Sequence, residues 1–281
     1  MKNSKRPIFI LGVGAQKAGT SWLHSYLSGL PEVDMGFMKE YHVFDQKFVP
    51  DKTPGIKERI PNWFSSYFPS NDLQRRYQFR RNNASYVEYF KSLVSADNSV
   101  RITGDITPSY AALPSWEFAR VFALLQAADF EVKVIFLMRD PVARCISANR
   151  MYARHKVRDH PDRPELEGEI LAKNYKSSRY GIRTRYDSTI KNLEAVFSRE
   201  DILYAFYEEL FTPVAVNRLC EFLSLPFREA DYDNVVNGAR VNNEIPTGLR
   251  AEIREHYKPV YEFVAAKFGQ DTVDRLWLGK R

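Results

Sequence analysis

The feature that most constrains how this chain folds lies between residues 7 and 30. A short apolar run, Ile8-Phe9-Ile10-Leu11-Gly12-Val13, leads into Gly14-Ala15-Gln16-Lys17-Ala18-Gly19-Thr20-Ser21. Trp22, Leu23, Tyr26, Leu27 and Leu30 then follow at helical spacing until Pro31. An apolar run this short, closed by glycines, reads as a strand. Small residues after it let backbone N–H groups turn inward, and the N-terminus of the following helix adds partial positive charge there. Strand, glycine-rich turn and helix in that order open a nucleotide-binding α/β unit.

The rest of the chain repeats the alternation. Residues 132–138 (VKVIFLM) read as a central parallel strand covered on both faces. Residues 33–37, 101–106 and 202–206 read as shorter strands. Helical spacing recurs at 84–93, 116–127, 141–155, 180–197, 208–223 and 249–268, with Pro141 suited to a first helical turn. Residues 38–79 read as irregular and aromatic-rich, and 156–168, with two prolines, as a mobile polar loop. There are no internal repeats. Strands alternating with helices imply a mostly parallel sheet flanked by helices. The expectation is one P-loop-like α/β domain spanning residues 1–281.

Composition narrows the partners. Apolar residues make up 44% of the chain, enough for a full core. The net charge of +6, from 41 basic and 35 acidic residues, favours anionic ligands such as nucleotides, phosphates or acidic glycans. No basic run is interleaved with aromatics, so nucleic acid is not an expected partner. Cys145 and Cys220 belong to no metal-spaced cluster and read as two reduced thiols, which points to a reducing compartment. No apolar stretch is long enough for a transmembrane helix, and residues 8–13 are too short for a secretory signal, so a cytoplasmic location is expected. His24, His155, His160 and His256 have no metal-binding spacing, and no metal is expected.

The glycine turn almost fits the ATP-binding pattern GxxxxGK[ST]. Both glycines and the final Ser21 are in place, but Thr20 stands where the lysine belongs and Lys17 comes three residues earlier. Nucleoside triphosphate enzymes also hold Mg²⁺ with an Asp after an apolar strand. Here Arg139 follows the strand directly. A sulfuryl group carries less charge than a phosphoryl group, so protein cations can suffice for its transfer. Two rivals stay open: a P-loop kinase-like enzyme, and a nucleotide-binding module without catalysis.

The segment Gln16-Lys17-Ala18-Gly19-Thr20-Ser21-Trp22-Leu23 resembles the 5′-phosphosulfate loop of sulfotransferases that use 3′-phosphoadenosine 5′-phosphosulfate (PAPS). Arg139-Asp140-Pro141-Val142-Ala143-Arg144-Cys145-Ile146-Ser147 resembles their 3′-phosphate motif. The two follow apolar strands in the right order, about 120 residues apart. The likeness covers most of the chain, since Tyr207-Glu208 and the closing helices follow the family's course. It implies that backbone amides from Ala18, Gly19, Thr20 and Ser21, with the two hydroxyls, hold the 5′-phosphate. Lys17 would stabilise charge on the leaving 3′,5′-phosphoadenosine (PAP). Arg139 and Ser147 would grip the 3′-phosphate, Trp22 would stack on adenine or pack in the core, and Tyr180 would reach the adenine ring. Arg240, in Gly238-Ala239-Arg240, would close over the 3′-phosphate. Arg144 is expected to be structural, pairing across the helix surface.

A further segment, Met38-Lys39-Glu40-Tyr41-His42-Val43-Phe44-Asp45, resembles the K-E-x-H-x-F-[DE] stretch of carbohydrate (glycosaminoglycan)-type sulfotransferases. That likeness implies Glu40 as general base for in-line sulfuryl transfer from PAPS to a hydroxyl or amine, with His42 as the rival base. Gly104-Asp105-Ile106-Thr107-Pro108-Ser109-Tyr110 resembles the family's acceptor-side segment, except that Ile106 stands where glycosaminoglycan enzymes commonly carry lysine. The acceptors left open are a small molecule, a glycolipid or a carbohydrate. Trp63, Phe64, Tyr67 and Phe68 would suit a sugar face or a lipid tail, or simply the core.

Overall fold

The computed structural model of the chain describes residues 6–49, 71–97, 99–232 and 244–279. Arg240 and the aromatics at 63–68 lie outside these residues. Strand β1 (Ile8–Gly14) is buried at all seven positions. It pairs in parallel with β3 (Ile102–Ile106) on one side, Leu11 opposite Asp105, and with β4 (Glu131–Met138) on the other, Leu11 opposite Val134. With β2 (Val33–Asp34) and β5 (Ile202–Phe206) the order is β2-β3-β1-β4-β5, every pair parallel. A strand flanked by parallel neighbours and covered on both faces has no polar side, which accounts for the unbroken apolar runs.

Helices cover the sheet: α1 (Thr20–Ser28), α2 (Asn71–Arg81), α3 (Asn83–Ala96), α4 (Ser115–Ala127), α5 (Pro141–Arg158), α6 (Leu166–Asn174), α7 (Ser178–Gly181), α8 (Tyr186–Glu194), α9 (Pro213–Phe222), α10 (Thr247–His256), α11 (Lys258–Phe268) and α12 (Gln270–Val273). Phe9 anchors one face, its ring 5.0 Å from Phe90 and 5.5 Å from Phe130. The other face packs Phe136 against Tyr186 and Phe206 against Trp277. Among the described residues no helix is long and apolar enough to cross a membrane. Both cysteines are free and buried.

Several boundaries differ from the sequence reading, each for a local reason. The strand expected over 33–37 stops at Asp34, whose carboxylate accepts the Gly36 N–H at 2.8 Å and turns the chain. Helix α2 begins inside the stretch read as irregular and runs two residues past it; its NDLQRRYQFRR sequence has too few apolar residues to show a face. Helix α5 runs to Arg158 and α6 starts at Leu166, so the loop read at 156–168 is shorter. The helix read over 180–197 is two, α7 and α8. That read over 208–223 begins only at Pro213, where the Thr212 hydroxyl caps it by accepting the Ala215 N–H at 3.2 Å. That read over 249–268 breaks at Tyr257, ahead of Pro259, which has no N–H to continue the ladder.

Two features of β3 fix the layout around the sheet's carboxyl edge. At Gly104 an added Cβ would come within 2.4 Å of the Ile10 carbonyl oxygen, so only glycine lets β3 lie this close to β1. Next to it, Asp105 is fully buried and accepts hydrogen bonds from Thr107 (2.6 Å), Tyr110 (2.7 Å) and Tyr86 (3.1 Å). Those partners reach on to the 41–45 segment. Thr107 Oγ1 accepts the His42 N–H at 3.3 Å, and the Tyr110 hydroxyl accepts that of Val43 at 3.1 Å. Burial pushes the Asp105 carboxyl up to about 6 despite the lowering effect of these hydrogen bonds.

Gly104→Ala is therefore expected to lower stability by about 2 kcal/mol or more, read as a lower urea midpoint at unchanged slope. Asp105 holds its proton more tightly folded than unfolded, where its ordinary value is 3.8. Its contribution to stability is full below about pH 4 and is lost as pH rises through 6. The advantage of the wild type over Asp105→Asn should shrink across that window by roughly 3 kcal/mol, measured by denaturation at a series of pH values.

Candidate active site

The turn after β1 is shaped by backbone conformations that L-residues rarely adopt. Gly14, Lys17 and Gly19 have φ of 134°, 71° and 91°. A Cβ on Gly19 would meet Leu210 Cδ2 at 2.5 Å. Ala18 is fully buried, and its N–H closes the turn on the Ala15 carbonyl at 3.1 Å. Helix α1 starts at Thr20 with no side chain capping its N-terminus, so its first amides face the loop without an internal acceptor. Left-handed backbone at a lysine is a strain that the surrounding structure sustains, and such strain concentrates at functional sites.

Cations converge here. Arg139, at the end of β4, donates from Nη1 to the Lys17 carbonyl at 3.1 Å and lies 4.1 Å from the centre of the Tyr207 ring. Its Nε is buried and has no hydrogen-bond partner among the described residues. Burial lowers the pKa of the Lys17 ammonium, and the charges of Arg139, Arg154, Lys39 and Arg144 lower it further. Lys39 donates from Nζ to the Thr20 hydroxyl at 3.3 Å. An ammonium thus stands against the residue at which the ATP-binding pattern has its lysine, though it comes from elsewhere in the chain. Behind Arg139, the Asp140 carboxylate caps α5 through the Ala143 N–H at 3.1 Å and takes a hydrogen bond from the Tyr261 hydroxyl. The Asp140 N–H donates to Glu208 at 3.1 Å, which fixes the role of the Tyr207-Glu208 pair: one residue stacks on the arginine, the other holds its neighbour.

On the opposite side stands a chain of acids and one histidine. Glu40 Oε1 lies 2.7 Å from Lys39 Nζ, and its Oε2 lies 3.2 Å from His42 Nε2. His42 Nδ1 lies 2.8 Å from Asp45, which is fully buried and also accepts from the Ser109 hydroxyl. Burial raises the Glu40 carboxyl, but the hydrogen bond from His42 and the charge and hydrogen bond of Lys39 outweigh it and hold the group at about 2. His42 has φ of 53°, a second strained residue in the site.

The structure thus brings Lys17, Ala18, Gly19, Thr20, Ser21, Arg139, Glu40 and His42 to one edge of the sheet. Ser147 lies two turns into α5, half-buried. Trp22 is buried, its ring stacked on Tyr26, edge-on to Phe211 and bonded to the Asp231 carbonyl at 3.1 Å. Tyr180 is buried against α5, its hydroxyl 3.4 Å from Asn149. Arg144 does not pair across the helix surface: it is fully buried and forms no salt bridge among the described residues. Ile106 is buried against Gly12. The sequence reading placed Asp45, Ser109 and Tyr207 in segments of interest but gave none of them a role in the site. Asp45 sits three residues after His42, within the segment already singled out, and that spacing was the available signal.

The donor set fits a nucleotide bearing two anionic ends. Uncapped amides and Lys17 mark one anion position, and the buried, unpartnered Arg139 Nε marks an N–H that lacks an acceptor. A cavity of about 380 Å³ lies among α5, α6 and α7, and Tyr152 on its wall donates to Gln16 of the loop at 2.8 Å. Its walls carry Lys156, Lys173 and Arg179 together with Tyr152 and Tyr180.

Comparison with known proteins completes the assignment. The fold is similar to that of a sulfotransferase from Alicyclobacillus acidocaldarius, with a TM-score of 0.60, 22% identity, and 93% of this chain and 95% of that one covered. The sulfotransferase domain of an olefin synthase from Synechococcus PCC 7002 also matches, at a TM-score of 0.45 and 14% identity over 91% of this chain and 96% of that one. No curated protein sequence matches the chain. The family model for the sulfotransferase domain matches residues 6–244, and on that match this chain belongs to the sulfotransferase family.

Proposed function

We propose that this sulfotransferase takes its sulfuryl group from PAPS and passes it to a hydroxyl or amine, with Glu40 as general base. The reading rests on Lys39, whose ammonium bonds Thr20 of the phosphate loop at 3.3 Å and Glu40 at 2.7 Å, linking the anion-binding turn to the only carboxylate beside it among the described contacts. The loop amides, Thr20 and Ser21 would hold the 5′-phosphate end of the nucleotide, and Arg139 with Ser147 the 3′-phosphate. When bound, PAPS supplies the activated sulfuryl group. Lys17 would face the bridging oxygen and stabilise the charge that develops there. The bond that forms joins sulfur to the acceptor atom, the bond that breaks joins it to the nucleotide phosphate, and the acceptor proton goes to Glu40.

A carboxylate held at about 2 is a weak base at neutral pH. His42 holds the carboxylate in this ionised state: its Nε2 donates to Glu40 across 3.2 Å, and its Nδ1 is oriented by buried Asp45.

Calorimetry should give tight binding of PAP in preference to ATP with Mg²⁺, weakened roughly 10- to 100-fold by Arg139→Ala; preference for ATP with Mg²⁺ would favour a kinase instead. Glu40→Gln should lower kcat at least about 100-fold while PAP binding holds. With Glu40 ionised above about 2, its acid limb in kcat/KM lies well below neutrality. Lys39→Met removes one lowering influence, so that limb should move up toward the ordinary value of 4.5.

A further inference from the structure

Arg144 is the largest fully buried side chain among the described residues, with none of its surface exposed. Arginine is almost never buried without an acidic partner, yet Arg144 has none among the described residues. One of its nitrogens, Nη2, lies 3.4 Å from Cys145 Sγ, and the guanidinium lies 5.4 Å from the centre of the Tyr180 ring. The other two, Nε and Nη1, are buried with no hydrogen-bond partner. A tyrosine face and a thiol are weak company for a permanent charge. Five residues earlier on the same segment, Arg139 Nε is in the same condition. Two guanidinium groups with buried, unused N–H donors therefore stand on one strand-to-helix junction, beside a loop whose own lysine is affected by both charges.

Taking the donor reading above as its basis, we propose that Arg144 is held without a counter-ion so that a phosphate of the bound nucleotide becomes its counter-ion: a positioning residue for the donor, placed one layer behind Arg139. Its cost to the free protein is the reserve on which nucleotide binding draws. The separation from Ser147 is three residues along α5, so both fall on one face of the helix and can serve the same phosphate.

The test compares Arg144→Met, which fills the space without the charge, with Arg144→Lys, which keeps the charge. Thermal unfolding of the free protein and calorimetric binding of PAP and of AMP are the readouts. The expected result is that Arg144→Met melts higher than the wild type when free yet binds PAP at least tenfold more weakly, while Arg144→Lys binds within a few-fold of the wild type. A loss confined to PAP assigns Arg144 to the 3′-phosphate, and an equal loss with AMP assigns it to the 5′-phosphate. Wild-type affinity for PAP in Arg144→Met overturns the inference and leaves the donor reading standing. A wild type that does not bind PAP overturns both. Should Arg144→Met melt lower and bind poorly, the decision passes to the wild-type Arg144 Nε–H resonance, identified by its loss in Arg144→Lys. A shift on adding PAP supports the role, and a resonance that does not move overturns it.

Discussion

The parallel pairing of β1 with both β3 and β4 is the constraint on which everything else depends. Because the three strands run the same way, their carboxyl ends open on one edge. From that edge emerge the glycine-rich loop after β1, Asp105 and Thr107 at the end of β3, and Arg139 at the end of β4. Open α/β sheets bind ligands at such an edge because the helices that follow present their N-termini there. The close approach of Gly104 to Ile10 sets the spacing of that edge, and Asp105 then passes it on to the segment carrying Glu40 and His42.

What gathers at the edge is electrostatically costly. Lys17 feels the charges of Lys39, Arg139, Arg144 and Arg154, and Glu40 faces Lys39 as an opposite charge. A buried guanidinium without a partner costs several kcal/mol in general. The protein sustains the arrangement by stacking Arg139 on Tyr207, by surrounding Arg144 with aromatic rings, and by building an extensive core beneath. The two strained residues of the site, Lys17 and His42, belong to the same pattern, in which local free energy is sacrificed where a ligand will restore it.

The sheet and the cation cluster could be read in the sequence because they depend on local patterns. Continuous apolar runs mark buried parallel strands, and a glycine turn before a helix gathers free backbone amides that suit an anion. The same locality explains what was not legible. Asp45 and Ser109 lie 64 positions apart and meet only through the fold. Tyr207 stacks on Arg139 from a different strand end, and nothing in the Tyr207-Glu208 dipeptide specifies which partner it takes. Arg144 looked like a helix-surface residue because spacing along one helix reveals faces, not which neighbour covers them. The breaks at Tyr257 and between α7 and α8 were hidden inside sequences whose apolar spacing runs on past them.

One ammonium serves both halves of the site. Lys39 donates to Thr20 and to Glu40 at once, so the glycine loop and the carboxylate share one point of control. On the proposed reading, an anion that settles in the loop and draws this ammonium toward itself relaxes one of the influences that hold Glu40 low, and the binding of one substrate then tunes the group that acts on the other.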